Sequence, residues 1–380
     1  MENNNSVCFV SKITKIQSIE GADNIELAII GGWNCITKKG DYSEGELILI
    51  ATTDAIIPQP LADEIGITKY LRKGNRVKTV KLKGVYSECL IIPPDFYNYS
   101  YLIEGSDRMK DMGIFKYDPP TFIFLSSGRK IKYKNNSNFK VYYKFPNIKN
   151  VEGIFTPQCE VEISRKIHGT NARYGIVKKL KTTLGDKIKV FLNSKFNIGG
   201  NKWKRCEYEF IIGSHNIEKG SDSQGFYLTD IWLEIENKYS IKDKLWEYVE
   251  GRNIPSLNEG VIIYGEIYGG GIQKNYTYGL QDIKFVGFDC QLNGEYLPPA
   301  ISQCIFEDIL NLPYIEVLHR GMWSLEIQDK YTYNNFIEGT NVPHEGIVIK
   351  YHTGERSKVA KVINPDYHIY SEKNKVGDSH

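Results

Sequence analysis

The stretch VEISRKIHGTNARYGIV, residues 161–177, decides how the second half of the chain is read. Two runs rich in strand-forming residues flank Lys-Ile-His-Gly-Thr-Asn, so a lysine stands just before a glycine turn where folding alone requires no charge. A lysine becomes a nucleophile only when it loses its proton, and burial or neighbouring cations favour that loss by disfavouring the ammonium. A lone K-x-x-G arises by chance in most chains of this size. Lys166 therefore counts as a candidate only if partner groups recur elsewhere.

They recur downstream in a fixed order. YGEIYGGGIQK (residues 264–274) is followed by FVGFDC (285–290), then EGIVIK (345–350), then SKVAKVINPDY (357–367), the last two strand-like and carrying lysines. From residue 152 onward strands dominate, with helices expected at about residues 222–249 and 299–310. Regular alternation of strand and crossover helix is absent, so the class is α+β.

Upstream, five short β runs lie between residues 7 and 94: VCFVSKITKI, NIELAIIGGWNCI, GELILIATTDAII, VKTVKLKGV and ECLIIPP. Five such runs, with room for a helix within residues 62–72, suit a small barrel of the OB type, whose strand face and loops often bind nucleic acid. Between Glu64 and Glu88 there is no acid, while Lys69, Arg72, Lys73, Arg76, Lys78, Lys81 and Lys83 are all present. They form one candidate patch for tracking a phosphate backbone. Alternation in VKTVKLK equally allows the lysines to solvate the outer side of a half-buried strand. Pro119 and Pro120 punctuate the chain, and residues 129–149 form a second acid-free basic stretch with Phe139, Tyr142, Tyr143 and Phe145 interleaved. That stretch is either a surface for base stacking with phosphate contact or a lysine-rich ordered linker. The expected division is an OB domain at 1–96, a linker at 97–150 and a catalytic domain at 151–380.

The 380 residues carry a net charge of only +2, so a polyanion must be met by local clusters and not by the field of the whole molecule. The seven cysteines are widely spaced, with no Cys/His grouping at zinc spacing, and are read as reduced thiols of an intracellular, reducing compartment. The first residues contain no apolar run of signal-peptide length, and no stretch of about 18 uninterrupted apolar residues suggests a membrane span.

Taken as a set, KIHGTN, GEIYGGGIQK, FVGFDC, EGIVIK and KVAKVINP resemble, over roughly residues 150–367, the covalent nucleotidyltransferase superfamily of ATP-dependent RNA and DNA ligases and mRNA capping enzymes. KIHGTN with GEIYGGGIQK is most similar to the RNA ligases related to the phage enzyme that seals nicks in double-stranded RNA. With the OB-like region in front and GIFKYDPP (residues 113–120) between, the whole chain resembles the RNA ligases that carry an N-terminal OB domain.

That resemblance implies an OB barrel followed by a nucleotidyltransferase domain of antiparallel sheets with flanking helices. It implies a monomeric enzyme that uses ATP with Mg²⁺ or Mn²⁺ to join RNA 3′-OH and 5′-phosphate ends, typically at a nick in a duplex. Lys166 would attack the α-phosphorus. Gly169 would allow the tight turn, and His168 and Asn171 would lie near the nucleotide. Glu266 would bind the ribose, Phe288 would stack on adenine, and Glu345 would help hold a hydrated metal. Lys350, Lys358 and Lys361 would contact the α-phosphate and favour the neutral form of Lys166.

Some positions depart from the superfamily pattern. His168 stands where many members have Asp, and a neutral imidazole is a poorer Mg²⁺ partner than a carboxylate. Lys358 and Lys361 are three apart where Lys-x-Lys is usual, and Lys361, directly before VINP, is the better match. Two alternatives stay open. Capping guanylyltransferases place their OB domain after the last lysine motif, where residues 362–380 are too few for a barrel. A non-catalytic RNA-binding protein would not need to retain Lys166, Glu266, Glu345 and Lys361.

Overall fold

The computed structural model describes residues 6–72, 74–97, 102–117, 136–151, 153–196, 205–215, 218–219, 230–251 and 257–376. Lys73, Pro119, Pro120, the basic stretch before residue 136 and residues 222–229 of the first expected helix lie outside them.

The N-terminal region contains β1 (Cys8–Ser18), β2 (Ile25–Ile30), β3 (Trp33–Lys38), β4 (Leu47–Thr52), β5 (Ala55–Ile56), β6 (Val80–Leu82), β7 (Val85–Ser87), β8 (Cys89–Ile92) and β9 (Phe115–Lys116). The run read as NIELAIIGGWNCI is two strands, because Gly31 adopts φ +55° and Ile30 pairs with Trp33 across a Gly-Gly hairpin. Along β2, burial alternates residue by residue, which puts Ala28 and Ile30 inside with Trp33 and Cys35 of β3. Five strands form one sheet in the order β3-β2-β1-β4-β8. Its edges approach each other where the Glu88 amide donates to Asn34 O at 2.8 Å and the Ile36 amide to Ser87 Oγ at 3.0 Å. This nearly closed barrel is the expected OB-fold. The VKTVKLKGV run, by contrast, is a separate β6–β7 hairpin turned at Lys83 and Gly84, both with positive φ. The expected helix begins earlier, at Gln59–Ile65, where Pro60 occupies the first turn and needs no amide partner.

The C-terminal region contains β10 (Glu160–Lys166), β11 (Thr170–Lys178), β12 (Tyr208–Gly213), β13 (Glu218–Lys219), β14 (Gly260–Gly269), β15 (Ile283–Leu292), β16 (Glu295–Tyr296), β17 (Val317–Met322), β18 (Gly346–Tyr351) and β19 (Val359–Ile363). These make two antiparallel sheets, one ordered β17-β10-β18-β19 and one ordered β13-β12-β11-β14-β15-β16. Helices Ile231–Tyr239 and Ile241–Gly251 cover the larger sheet, burying Trp232, Ile235, Leu245 and Trp246 against Tyr174, Ile263 and Phe285. The expected helix near residue 299 forms over Pro299–Cys304 and continues as a π-helical turn over Ile305–Ile309. Three more helices, Leu184–Phe196, Leu325–Thr332 and Pro365–Lys373, interrupt what the sequence presents as strand-dominated.

Of the two readings of the aromatic stretch, the structure supports the ordered linker. Phe139 and Tyr142 are buried on the larger sheet against Tyr264, with Tyr143, Phe145, Phe288 and Tyr296 packed around them. Tyr142 lies 4.9 Å from Phe288 and 5.0 Å from Tyr264 between ring centroids. The rings of Phe139, Tyr142, Tyr143 and Phe145 are packed against one another and the sheet, and not displayed for stacking on bases. Further along, the Trp33 indole donates to Asn150 Oδ1 at 3.2 Å and Lys149 pairs with Glu88, which ties the linker to the barrel. All seven cysteines are free thiols. Among the described residues, no helix is long and apolar enough to cross a membrane.

Candidate active site

Lys166 is the last residue of β10 in the smaller sheet, and Thr170 is the first of β11 in the larger one, so Lys166 to Gly169 is the crossing between sheets. The crossing runs tight against β14. A Cβ on Gly169 would sit 2.2 Å from Ile267 O and 2.9 Å from Glu266 Cγ, so only glycine fits. Gln273 Nε2 donates to Gly169 O at 2.7 Å and holds the turn from outside. Both sheets thus present their inner strands to one seam.

From the smaller sheet come Lys166, Glu345 and Lys361. Lys166 Nζ donates to Glu345 Oε1 at 2.6 Å, while Glu345 Oε2 is buried without a hydrogen-bond partner. Burial opposes the charge on Glu345, yet Lys166, His168 and Lys361 outweigh it and hold the carboxyl below its usual range. Lys361 lies on β19, two strands from Lys166 and on the same face, because Lys166 pairs with Gly346 and Lys361 with Val348 of the intervening β18. Burial, with the positive charge of Lys166, depresses Lys361 to about 8. Asp54 of the OB domain and Lys116 of the linker also act on it, in opposite directions. The first domain therefore contributes to the electrostatics of this seam.

The larger sheet supplies Asn171 and Glu266, while the Phe288 ring lies 4.9 Å from the Tyr142 ring and 5.8 Å from the Lys350 ammonium. Asn171 and Glu266 are direct partners on β11 and β14. Asn171 O accepts from the Trp232 indole at 3.0 Å, and its Oδ1 is buried without a hydrogen-bond partner. Burial pushes the Glu266 carboxyl up to about 8, with Lys166 opposing and Glu345 adding to the rise. Two acceptor oxygens, Glu345 Oε2 and Asn171 Oδ1, are thus desolvated and unsatisfied beside a lysine, an arrangement that suits a ligand bringing donors or a cation.

The other named residues sit elsewhere. His168 is buried, with Tyr276 and Tyr367 edge-on to its ring at 5.5 and 5.4 Å, and its Nδ1 is 3.9 Å from Glu345 Oε2. It backs the carboxylate from within the core. Lys350 shares the Lys166 face of the sheet, but Asp289 and the Phe288 carbonyl hold its ammonium at 3.1 and 2.5 Å, with 2% of the side chain exposed. A cation so committed is not available to a phosphate. Lys358 lies beyond that end of the sheet, 4.6 Å over the Tyr351 ring. Lys361 alone of the three joins Lys166.

Sequence reasoning did not single out Asp289, which also accepts from both terminal Arg356 nitrogens, at 2.8 and 2.9 Å, and from the Tyr142 hydroxyl at 2.9 Å. The available signal was an acid inside the apolar strand FVGFDC, since a buried charge demands a partner.

The basic run of the OB domain divides in two. Arg76 Nε donates to Asp54 at 3.0 Å, Lys78 pairs with Glu372 at 3.2 Å, and Lys81 lies 3.7 Å from Asp366, whose carboxylate also takes the Tyr86 hydroxyl. Glu372 and Asp366 belong to helix Pro365–Lys373, so Lys78 and Lys81 dock the barrel on the catalytic domain. This corrects the expectation that the whole run faces a polyanion. Acids remote in sequence neutralise its middle. Lys69, Arg72 and Lys83 have no acidic partner among the described residues. Replacing Lys69 and Lys83 by alanine is therefore expected to lower the slope of log affinity for RNA against log salt by about 1.5, at roughly 0.7 to 0.9 per lost phosphate contact. Replacing Lys78 and Lys81 should leave that slope and cost about 1 kcal/mol of stability. Titrations at several salt concentrations and urea melts separate the two pairs.

The comparisons with known proteins agree with this geometry. An OB-fold domain model matches residues 7–94 and an RNA ligase model matches residues 159–363. No curated protein sequence matches the chain. Among solved structures, a mutant of the Naegleria gruberi RNA ligase with AMP and Mn superposes with a TM-score of 0.71 at 18% identity, over 96% of this chain and 99% of that one. The same ligase with pyrophosphate gives 0.70 at 19%, over 98% and 99%. At such identities the likeness establishes the fold, an OB domain followed by a ligase domain. With a family model spanning more than half of its length, and Lys166, Glu266, Glu345 and Lys361 gathered at one seam, the chain belongs to the RNA ligase family.

Proposed function

We propose that the protein is an ATP-dependent ligase that joins RNA 3′-OH and 5′-phosphate ends at nicks in a duplex, through lysyl-AMP and RNA-adenylate intermediates. The observation that carries this is the Lys166–Glu345 contact of 2.6 Å in a seam that also holds Lys361, Glu266 and the unsatisfied Asn171 Oδ1. In the first step Lys166 Nζ, having given up a proton, bonds to the α-phosphorus of ATP, and the bond to the bridging oxygen breaks to release pyrophosphate. In the second, a 5′-phosphate oxygen of the RNA takes the adenylyl group, and the P–N bond breaks. In the third, the 3′-OH attacks that RNA phosphate and AMP departs. The ATP and Mn seen with the Naegleria gruberi enzyme support this choice of nucleotide and a divalent metal, Mg²⁺ or Mn²⁺.

Among the described residues, no group of three His, Cys, Asp or Glu forms a metal cage. Glu345, with its open Oε2, would hold the ion, the remaining ligands being water and phosphate, as Mg²⁺ commonly takes. Bound there, a divalent ion would neutralise phosphate charge. Lys361 stabilises the additional negative charge on the α-phosphate, Glu266 receives a ribose hydroxyl, Asn171 orients toward the phosphate, and Phe288 offers its ring to adenine. Lys350 and Asp289 fix the backbone of Phe288 from below.

Incubation with ATP labelled at the α-phosphate, followed by a denaturing gel, tests the first step. A label that survives denaturation and is released by acid is expected, and no label with any nucleotide would leave an RNA-binding module only. Lys361→Ala should raise the adenylation barrier by about 2 to 4 kcal/mol, the loss of one preorganised contact to developing charge. Lys358→Ala should change it little, because its ammonium lies over Tyr351 and away from the seam. Single-turnover label rates compare them, and a more damaging Lys358 substitution would reverse the assignment.

A further inference from the structure

Helix Leu184–Phe196 follows β11 and takes no part in the seam, yet its outer side is built for contact. Leu184, Ile188 and Phe191 are 76%, 51% and 55% exposed, and their i, i+4, i+7 spacing puts them on one face. Leu180 before the helix and Phe196 at its end are also more than half exposed. Lys181, Lys187, Lys189 and Lys195 are exposed around this stripe, with the Lys195 ammonium 5.1 Å from the centre of the Phe191 ring. The helix has one acid, Asp186, and it turns back to Lys179 at 3.8 Å. The outward side is thus apolar and cationic, with no carboxylate.

We propose that this helix is a second RNA contact, receiving the arm of a nicked duplex at a distance from the reacting ends. The proposal rests on the RNA-sealing function argued above. Charge complementarity selects the occupant: four exposed cations without an acid match a polyanion, and the family substrate is one. Placement agrees. β11 starts beside Lys166 and runs eight residue steps to Lys178, about 26 Å at roughly 3.3 Å each. That is less than one turn of duplex, about 34 Å in B-DNA. The Lys179–Asp186 contact pins the helix to the far end of that strand. The exposed faces of Phe191 and of the aliphatic side chains suit ribose faces in the shallow minor groove of RNA, where the bases themselves are already stacked.

The test measures binding by the full-length protein in metal-free buffer, and self-adenylation and sealing separately with ATP and Mg²⁺, using nicked RNA duplexes whose arms are either a few base pairs or more than one helical turn long. For the long-armed duplex, the combined Lys187→Ala, Lys189→Ala and Lys195→Ala variant should lose about 2 to 3 in the slope of log affinity against log salt. Phe191→Ala should bind it about threefold or more weakly, the loss of one apolar contact with the ribose face. Short-armed binding and self-adenylation should match the wild type in both, which also shows that the variants fold. Lys187→Glu alone should weaken long-armed binding further than Lys187→Ala. Unchanged long-armed binding in the lysine variant overturns the proposal. So does a Phe191→Ala protein that binds RNA normally but has lost self-association or binding to phosphatidylserine vesicles, which would assign the stripe to a protein or a lipid surface. A wild type that neither seals nor binds any nicked duplex removes the sealing function itself, and this proposal with it. A wild type that seals while the variants equal it removes only the helix contact.

Discussion

Replacing Lys166 by alanine, and equally by arginine, is expected to abolish covalent transfer of AMP from ATP to the protein. The arginine variant is the sharper test, because a guanidinium can still pair with Glu345, 2.6 Å from the native ammonium, and so preserve the charge balance of the seam. What it cannot do is shed its proton and attack phosphorus. The loss would then be chemical and not structural, and a melting curve close to the wild type should accompany it. The three-step sequence adds a second outcome. Joining of RNA that already carries a 5′-adenylate needs no lysine nucleophile, so both variants should retain it. A gel of labelled protein and a sealing assay on pre-adenylated RNA read the two outcomes. Acid-releasable label in either variant would move the nucleophile to another residue, and equal loss of both reactions would make Lys166 a binding group.

Lys166 could be singled out because motif order, unlike a single motif, survives the noise of chance matches. KIHGTN, GEIYG, FVGFDC, EGIVIK and KVAKVINP lie on β10, β14, β15, β18 and β19, and strand pairing carries five remote segments to one seam. The barrel was legible for a related reason, since alternating apolar residues between turn signals specify strands whose inner faces must meet. What escaped was set by partners distant in sequence. The run from Lys69 to Lys83 contains no acid, yet Asp54, Asp366 and Glu372 neutralise its centre in space. Phe139 and Tyr142 alternate with lysines as a stacking surface would, but Tyr264 and Phe288 are their neighbours. Helix Leu184–Phe196 was hidden because its apolar stripe faces outward, so it lacks the buried face by which a surface helix is usually recognised. Lys350 ends a strand beside the motif glutamate, and nothing local indicates that its ammonium is committed across the interface to Asp289.

That commitment carries the second large effect, a loss of stability of about 3 to 5 kcal/mol on Asp289→Ala, the usual consequence of removing one partner from a buried ion pair. Asp289 is 0% exposed and Lys350 2%, so neither charge can be rescued by water. One carboxylate serves two cations, with Lys350 at 3.1 Å and Arg356 in a two-pronged pair at 2.8 and 2.9 Å. Its removal leaves both without their counter-charge and the Tyr142 hydroxyl without its acceptor. The pattern of rescue separates charge from shape. Asp289→Asn keeps the size and some of the hydrogen bonds but not the charge, so it should remain strongly destabilised. Adding Lys350→Met to Asp289→Ala should recover part of the loss, since it removes one stranded ammonium and fills the space with apolar atoms. Because Lys350 also holds the Phe288 carbonyl at 2.5 Å, adenylation at limiting ATP should still fall in the folded double variant, since the ring proposed to stack on adenine has lost its backbone anchor. Urea denaturation gives the stabilities, and label rates as a function of ATP concentration give the second effect as a weaker apparent affinity for ATP. A cost below about 1 kcal/mol for Asp289→Ala, the range of an exposed pair, would mean that water reaches this carboxylate and that the cluster does not position Phe288.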